Sequence, residues 1–266
     1  MKKTRELIEE NLKLVDVVCE LLDARIPVSS RNPIIKKLTE NKRRIIILNK
    51  ADLADPEETK RWCDHFKEEG LTLIMNSNSG EGAAALIRLL EKLRDEKNEG
   101  KERKRPLRLM IVGIPNVGKS SLINRLTKSK AAKAGNKPGV TKGKQWIALG
   151  QDIMLLDTPG ILWPKFEDPK VGLDLAFCGS IKDEIMDLPT LGLKFIEKLS
   201  ETAPELLIAR YKLDGISETP LETMESVAKK RGFIMSGGRI DYDRTAKTLL
   251  DEFRGGKIGK ITLEIF

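Results

Sequence analysis

The sequence predicts an α/β protein with a mostly parallel sheet, followed by a smaller all-helical domain. In the first part of the chain, short aliphatic runs alternate with stretches of helical periodicity, and this alternation is typical of parallel sheets. One run, 107–112, leads into a glycine-rich turn and then a helix. Later segments are helical and separated by Pro and Gly. We therefore expect domains at residues 1–164 and 165–266, with a solvated linker at about 98–106.

The strands are expected where Val, Ile and Leu cluster, and the helices where Asn or Asp precedes Pro or an amphipathic stretch. Strands are predicted at 15–22, 44–48, 71–75, 107–112, 145–149 and 153–156, the last two as a hairpin. Helices are predicted at 4–14, 32–39, 55–69, 83–97 and 121–126. The helical domain should contain helices at 170–178, 189–199, 203–211, 220–231 and 241–254.

Composition narrows the class of protein. The 266 residues carry 48 Lys+Arg against 40 Asp+Glu, and a pI near 9.3 favours an anionic partner such as RNA. Three widely separated cysteines support neither a disulfide framework nor a zinc site, so a reducing compartment, the cytoplasm, is expected. No apolar run approaches the ~20 residues of a membrane span. Aromatic residues make up 5%, which argues against a stacking platform for single-stranded nucleic acid.

The stretch from Gly113 to Ser120 fits the phosphate-binding pattern G-x-x-x-x-G-K-[ST]. Gly113 and Gly118 allow the backbone N–H groups to face a phosphate, Lys119 can bridge the outer phosphates, and Ser120 can hold Mg²⁺. The remaining nucleotide contacts are assigned to Asn116, Val117 and Ser121. The alternative is an ordinary glycine-rich turn with an exposed lysine, which the preceding strand and following helix make less plausible. A nucleoside triphosphate with magnesium is the predicted ligand.

Two further tetrapeptides follow predicted strands. Asn49-Lys50-Ala51-Asp52 matches N-K-x-D, in which the Asp accepts from N1–H and the 2-amino group of guanine, while Asn and Lys support the base and the loop. Adenine lacks that donor pair, so GTP is predicted. Asp157 to Gly160 matches D-x-x-G, which reaches Mg²⁺ through Asp157 and the γ-phosphate through the Gly160 N–H. Either tetrapeptide alone is more often a strand-ending turn. Together with the phosphate loop, they indicate a guanine-nucleotide site.

The order of these motifs is unusual, because N-K-x-D precedes the phosphate loop, whereas an ordinary small GTPase has it afterwards. Three features carry a resemblance to a known family: the order of the motifs, the D-A-R-x-P segment at 23–27, and the tail at 256–264. The chain resembles the circularly permuted GTPases, most closely the YlqF/RbgA ribosome biogenesis subgroup. The resemblance extends over essentially the whole chain. It implies a circularly permuted P-loop GTPase fold.

The resemblance also implies a function. It implies a GTP-hydrolysing assembly factor for the large (50S) ribosomal subunit whose GTP state controls docking to rRNA, with RNA or ribosome binding by the helical domain. The expected partners are the large subunit and its rRNA, without membrane or DNA, and the protein is expected to be a monomer. Ser77 corresponds to the second base-side contact. Thr141 corresponds to the switch threonine that completes the metal shell, and Lys119, Thr141 and Gly160 are the expected catalytic groups.

The catalytic water is the least defined part of this interpretation. The position of a water-orienting Gln holds Ile161, followed by Leu162, so a low intrinsic rate is expected. Relatives usually carry an aromatic-Pro-Gly-His-Met segment whose His is a catalytic candidate, and this sequence, beginning at Met1, does not contain it. His65 is expected to have a packing or solvated role. The residue that positions the water is therefore unassigned.

Three alternatives remain open at this stage. Asn116 resembles the asparagine that ligates K⁺ in potassium-stimulated GTPases, but it could equally support the loop turn. The protein could be a nucleotide-gated RNA-binding scaffold with negligible hydrolysis. It could also be a GTPase that acts on a protein or membrane partner.

Overall fold

The computed structural model describes residues 2–131, 146–150, 152–156, 168–181 and 187–266. The strands in these ranges are β1 (Val17–Asp23), β2 (Arg43–Asn49), β3 (Leu71–Ile74), β4 (Leu107–Val112), β5 (Trp146–Ala148) and β6 (Ile153–Leu156). The helices of the first part are α1 (Lys2–Leu12), α2 (Pro33–Leu38), α3 (Pro56–Phe66), α4 (Ala83–Asn98) and α5 (Lys119–Ala131). They are followed by α6 (Pro169–Phe177), α7 (Leu188–Thr202), α8 (Pro204–Tyr211), α9 (Pro220–Arg231) and α10 (Tyr242–Arg254).

The strands form one sheet in the order β3-β2-β1-β4-β6-β5. All pairings are parallel except β5 with β6, which is antiparallel as the predicted hairpin requires. Every residue of β1 is buried, because the strand lies at the centre with helices over the faces of the sheet. The α/β prediction is confirmed. The chain leaves β1 towards β2 and β3 and returns on the other side as β4, so a topological switch point separates β1 from β4.

Local capping explains why the helix starts could be predicted. The Asn32 side chain accepts a hydrogen bond from the Ile34 N–H at the start of α2, and Asp55 accepts from two N–H groups at the start of α3. Thr219 and Glu222 form a reciprocal capping box at α9. In each case Pro occupies the first turn, where its missing N–H costs nothing. These starts lie within two residues of the predicted ones.

The helical part packs around α7 and α10. Gly192 on α7 allows close approach, because a Cβ there would lie 2.6 Å from the Cβ of Ala246 on α10. The rings of Phe177, Phe195 and Phe253 are in sequential contact, with centroids 5.0 and 4.9 Å apart. One continuous cluster of buried apolar side chains includes both sheet and helical residues. The expected domain boundary at 164/165 lies outside the described residues and stays a prediction.

The segment after α10, residues 256–266, lies against the first part of the chain. The backbone N–H groups of Ile261 and Leu263 donate to the carbonyl oxygens of Leu53 and Arg25, at 3.0 and 2.8 Å. The ring of Phe266 packs edge-to-face on Trp62 at 5.0 Å. This C-terminal tail was not predicted from sequence, because its periodicity carries no signal for where it packs. Across the described ranges, no helix has both the length and the apolar character needed to cross a membrane.

Candidate nucleotide-binding site

The side-chain amide of Asn49 joins three loops at the carboxyl edge of the sheet. Its Nδ2 donates to the Val117 carbonyl in the phosphate loop at 2.7 Å. Its Oδ1 accepts from the N–H and the hydroxyl of Ser77, at 2.9 and 2.8 Å. Asn49 and Ser77 are buried and follow neighbouring parallel strands, so their loops meet at the same edge. The predicted base-side and phosphate-side residues are therefore held together by one side chain.

The two glycines of the phosphate loop are required by close backbone approaches. Gly118 has φ 104°, and a Cβ there would lie 2.4 Å from Asn49 Nδ2. A Cβ on Gly113 would lie 2.6 Å from the Leu21 carbonyl oxygen of β1. Asn116, at the tip of the turn, is exposed and has φ 59°. Larger residues at either glycine would push the loop away from β1 and β2.

Lys119 lies at the start of α5 and is largely buried. Its Nζ donates to the carbonyl oxygens of Gly113 and Ile114, at 2.9 and 2.7 Å. Burial lowers the pKa of Lys119 to about 8, because the charged form is deprived of solvent. Ser120 and Ser121 follow in the first turn of the helix, and Ser120 is exposed. A helix N-terminus with a desolvated cation and an exposed hydroxyl fits a phosphate group and, through Ser120, an oxygen-ligated cation.

The base-side loop is attached to strands on both sides. Lys50 has φ 59°, and its Nζ lies 2.9 Å from Asp23 Oδ2 at the end of β1. The Ala51 N–H donates to the Met75 carbonyl beyond β3 at 3.2 Å. Asp52 is exposed, so its carboxylate can accept from the donors of a guanine base. The arrangement fits the predicted base contact.

The switch side of the site lies beyond what the structure describes. Thr141, Asp157 and Gly160, together with Ile161 and Leu162, fall outside the described residues. Among the described residues, no three His, Cys, Asp or Glu side chains are grouped so that they could hold a metal ion. The assignment of Mg²⁺ to Ser120, Thr141 and Asp157 therefore stays a prediction.

Two residues beside the site were given no role by sequence reasoning. Asp23 and Arg25, in D-A-R-x-P, form a buried pair in which Arg25 Nε and Nη2 donate to the carboxylate at 2.9 and 2.8 Å. A carboxylate ending the strand next to the phosphate-loop strand was the available signal. His65, in contrast, packs its ring against Trp62 and Phe266, in agreement with a packing role.

A parallel sheet with a phosphate loop after β4 and an N-K-x-D loop after β2 defines a P-loop GTPase with permuted motif order. A sequence-family profile described as "50S ribosome-binding GTPase" matches residues 108–210. The base-side motifs at 49–52 and 77 precede that match, in agreement with the permuted order.

Similar proteins extend over nearly the whole chain. Ribosome biogenesis GTPase A of Bacillus cereus is 49% identical, with 99% of this chain and 91% of the relative covered. Mitochondrial ribosome-associated GTPase 1 of Mus musculus is 31% identical over 99% of this chain and 88% of its own length. The crystal structure of GNP-bound YlqF from Thermotoga maritima aligns with TM-score 0.72 and 29% identity, covering 99% and 98%. The chain belongs to the ribosome biogenesis GTPase A family, and it is a GTPase.

Proposed function

We propose that this GTPase is an assembly factor for the large ribosomal subunit, with its GTP state controlling docking to rRNA. The observation that carries the proposal is the Asn49 amide, which links the base-side loop to the phosphate loop in a chain similar to ribosome biogenesis GTPase A over 99% of its length. A change at the phosphates is thereby connected to the rest of the protein. We propose that it acts as a monomer in the cytoplasm.

The chemistry follows from the groups around the phosphate loop. Lys119 and the N-terminus of α5 would neutralise charge on the β- and γ-phosphates, and Asp52 would select guanine. Mg²⁺, held by Ser120 with Asp157 and Thr141, would supply further charge neutralisation. Gly160 would contact the γ-phosphate, as expected from D-x-x-G. Since Ile161 cannot orient water, slow turnover by the protein alone is expected.

The distribution of charge favours rRNA contact through the first part of the chain. Residues 1–164 carry 32 Lys+Arg against 22 Asp+Glu, whereas residues 165–266 carry 16 against 18. The basic cluster Lys229–Arg231 on α9 is also partly neutralised, because each member contacts a carboxylate. The helical domain as a whole therefore carries no net positive charge to attract RNA, and RNA binding by this domain stays a prediction. The lysines between 128 and 144 are the stronger candidates.

Co-sedimentation with purified large subunits tests the proposal. We expect more protein to bind with a non-hydrolysable GTP analogue than with GDP, and Lys119→Ala to lose this difference because its phosphate contact is removed. Equal binding in the two nucleotide states would contradict GTP-controlled docking. No binding in either state would contradict the assembly role.

A second candidate function is a nucleotide-gated RNA-binding scaffold with negligible hydrolysis. It is favoured by Ile161, which stands where a water-orienting Gln is expected. Single-turnover GTP hydrolysis, measured with and without large subunits, separates the two. We expect subunits to accelerate hydrolysis. A rate that stays at background in both conditions would favour a nucleotide-gated scaffold.

A further inference from the structure

The Asp23 carboxylate contacts one residue of the N-K-x-D motif, Lys50, and one residue of its own turn, Arg25. Asp23 is 1% exposed, and its Oδ2 lies 2.9 Å from Lys50 Nζ and 2.8 Å from Arg25 Nη2. Its second oxygen accepts from Arg25 Nε at 2.9 Å and from the Arg25 backbone N–H at 3.1 Å. A single carboxylate thus fixes two cations. Removal of its charge would leave both cations without this partner.

The same turn is joined to the guanine motif through the backbone. The Ala24 N–H donates to the Asn49 carbonyl oxygen at 2.8 Å, which extends the β1–β2 pairing by one residue. Lys50, the next residue, adopts the left-handed conformation (φ 59°), which costs free energy for a residue with a side chain. The ion pair with Asp23 offsets that cost. It also holds the loop in the conformation in which the Asp52 side chain is exposed. Lys50 is therefore placed by both its backbone and its side chain.

Arg25 carries the connection to the helical part. Its guanidinium lies over the ring of Phe253 on α10, 5.0 Å from the centroid, and that ring packs on Phe195 of α7. The Arg25 carbonyl accepts from the N–H of Leu263 in the C-terminal tail. A buried guanidinium on an aromatic face is attracted to it more strongly than an exposed one. Movement of α10 would therefore act on Arg25 and, through Asp23, on Lys50.

The electrostatics agree with this geometry. Burial alone would raise the pKa of Asp23, but the charges of Arg25 and Lys50 hold it well below its usual range. Burial alone would lower the pKa of Arg25, but the charge of Asp23, and to a smaller extent that of Asp52, holds it above its usual range. Asp23 and Arg25 are therefore both ionised under ordinary conditions.

We propose that Asp23 and Arg25 are positioning residues for guanine recognition, with Asp23 holding Lys50 in the base-binding loop and Arg25 connecting that pair to α10. The inference rests on the proposed role of residues 49–52 in binding the base. It assigns D-A-R-x-P an indirect function, in which its residues act on the nucleotide through Lys50. It also gives the helical part a route to nucleotide affinity that does not pass through the phosphates.

Nucleotide affinity of Asp23→Asn tests the proposal directly. We expect GDP and GTP to lose affinity by the same factor, roughly tenfold to a hundredfold, since both share the base. The KM for GTP should rise by that factor with kcat little changed, because the phosphate contacts are intact. Phe253→Leu should weaken GDP binding by roughly threefold by removing the ring beneath Arg25. Unchanged GDP affinity in folded Asp23→Asn would overturn the proposal.

A matched control distinguishes positioning from general destabilisation. Glu20 on β1 forms another buried ion pair, with Arg31 just before α2, at 3.1 Å. Glu20→Gln should lower Tm, as Asp23→Asn does, but leave the KM for GTP unchanged. If both variants raise KM equally, Asp23 has a structural role and the proposal is wrong.

A double-mutant cycle completes the test and remains informative if Asp23→Asn is unstable. In a Lys50→Met background, Asp23→Asn should cost little further GDP affinity, because the contact it serves is already absent. Additive effects would contradict the proposal. Asp52→Asn in the same assay separates failure of the base-binding assignment from failure of the positioning role. If Asp52→Asn fails to switch the base preference, the assignment of residues 49–52 is wrong. If it switches while Asp23→Asn binds GDP normally, the positioning role alone is wrong.

Discussion

The side-chain amide of Asn116 donates a 2.7 Å hydrogen bond to the carbonyl oxygen of Gly179, which follows the C-terminal end of α6. The same end of α6 is bound from the other side by Arg254 of α10, whose guanidinium donates to the carbonyl oxygens of Ala176 and Phe177. The last turn of α6 is therefore fixed between the phosphate loop and α10. A rearrangement at Asn116 would be passed to the helical part through this turn.

The hydrolysis rate is predicted to be higher in K⁺ than in Na⁺. The bond to Gly179 uses the amide nitrogen of Asn116, so its amide oxygen is not committed by that bond and could ligate a cation beside the phosphates. Asn116→Ala should abolish the difference between the two salts, measured as single-turnover rates at equal ionic strength. Asn124→Ala, an exposed asparagine on α5, should retain it. Equal rates in K⁺ and Na⁺ for the unsubstituted protein would contradict K⁺ ligation by Asn116. Its role would then be the hydrogen bond to Gly179.

Base specificity is predicted to reside in Asp52. Asp52→Asn replaces two acceptor oxygens by one acceptor and one donor group, so preference should move from GTP towards xanthosine triphosphate, whose C2 carbonyl needs a donor. Affinity for GTP should fall at least tenfold, measured by competition with a labelled guanine nucleotide. Asp64→Asn, an exposed change on α3, is the control and should leave GTP binding unchanged. Retention of GTP affinity within a few-fold by Asp52→Asn would mean that this loop does not read the base.

Nucleotide binding is predicted to take up a proton at alkaline pH. The pKa of Lys119 is lowered to about 8 by burial, and adjacent phosphates would raise it again. At pH 8 about half the protein must gain a proton on binding, so GDP affinity should decline as pH rises above 8. Calorimetry in two buffers of different ionisation enthalpy measures the uptake. Lys119→Arg, which does not titrate in this range, should show none. Equal uptake by Lys119→Arg would assign the proton to another group.

Subunit binding is predicted to depend on salt through the lysine-rich segment 128–144, which begins within the end of α5 and leads towards β5. Replacing three of its lysines by Gln should reduce the slope of log K against log salt by roughly 0.9 for each rRNA phosphate that is no longer neutralised. The segment comprises Lys128, Lys130, Lys133, Lys137, Lys142 and Lys144. Because Thr141 lies in the same segment, the preference for the GTP state should fall as well. Replacement of Lys229, Lys230 and Arg231 is the comparison. If only that change alters the slope, the rRNA contact lies on α9.

The parts of the fold that sequence reasoning recovered are those set by local chemistry. Cap residues such as Asp55 and Thr219 act within their own turn, and the GTPase motifs each follow a strand that is recognisable by its apolar run. The parts it missed depend on distant partners. Arg25 gives no local sign that Phe253 of α10 covers its guanidinium, and the contact of Asn116 with Gly179 spans 63 residues. Such pairings are fixed by packing of the whole chain, which periodicity does not encode.

The position of the C-terminal tail has a consequence for how the protein matures on the ribosome that makes it. The N–H groups of Val28 and Ser29 donate to the Glu264 carboxylate, and the first of these contacts joins residues 236 positions apart. The sheet can begin to form as soon as its strands emerge, because synthesis proceeds from the N-terminus. The turn at 24–29 and the loop at 50–55 gain their contacts with residues 261–264 only when those residues have left the exit tunnel. We expect a nascent chain whose residues 256–266 are still inside the exit tunnel to hold guanine nucleotide more weakly than one in which these residues have emerged.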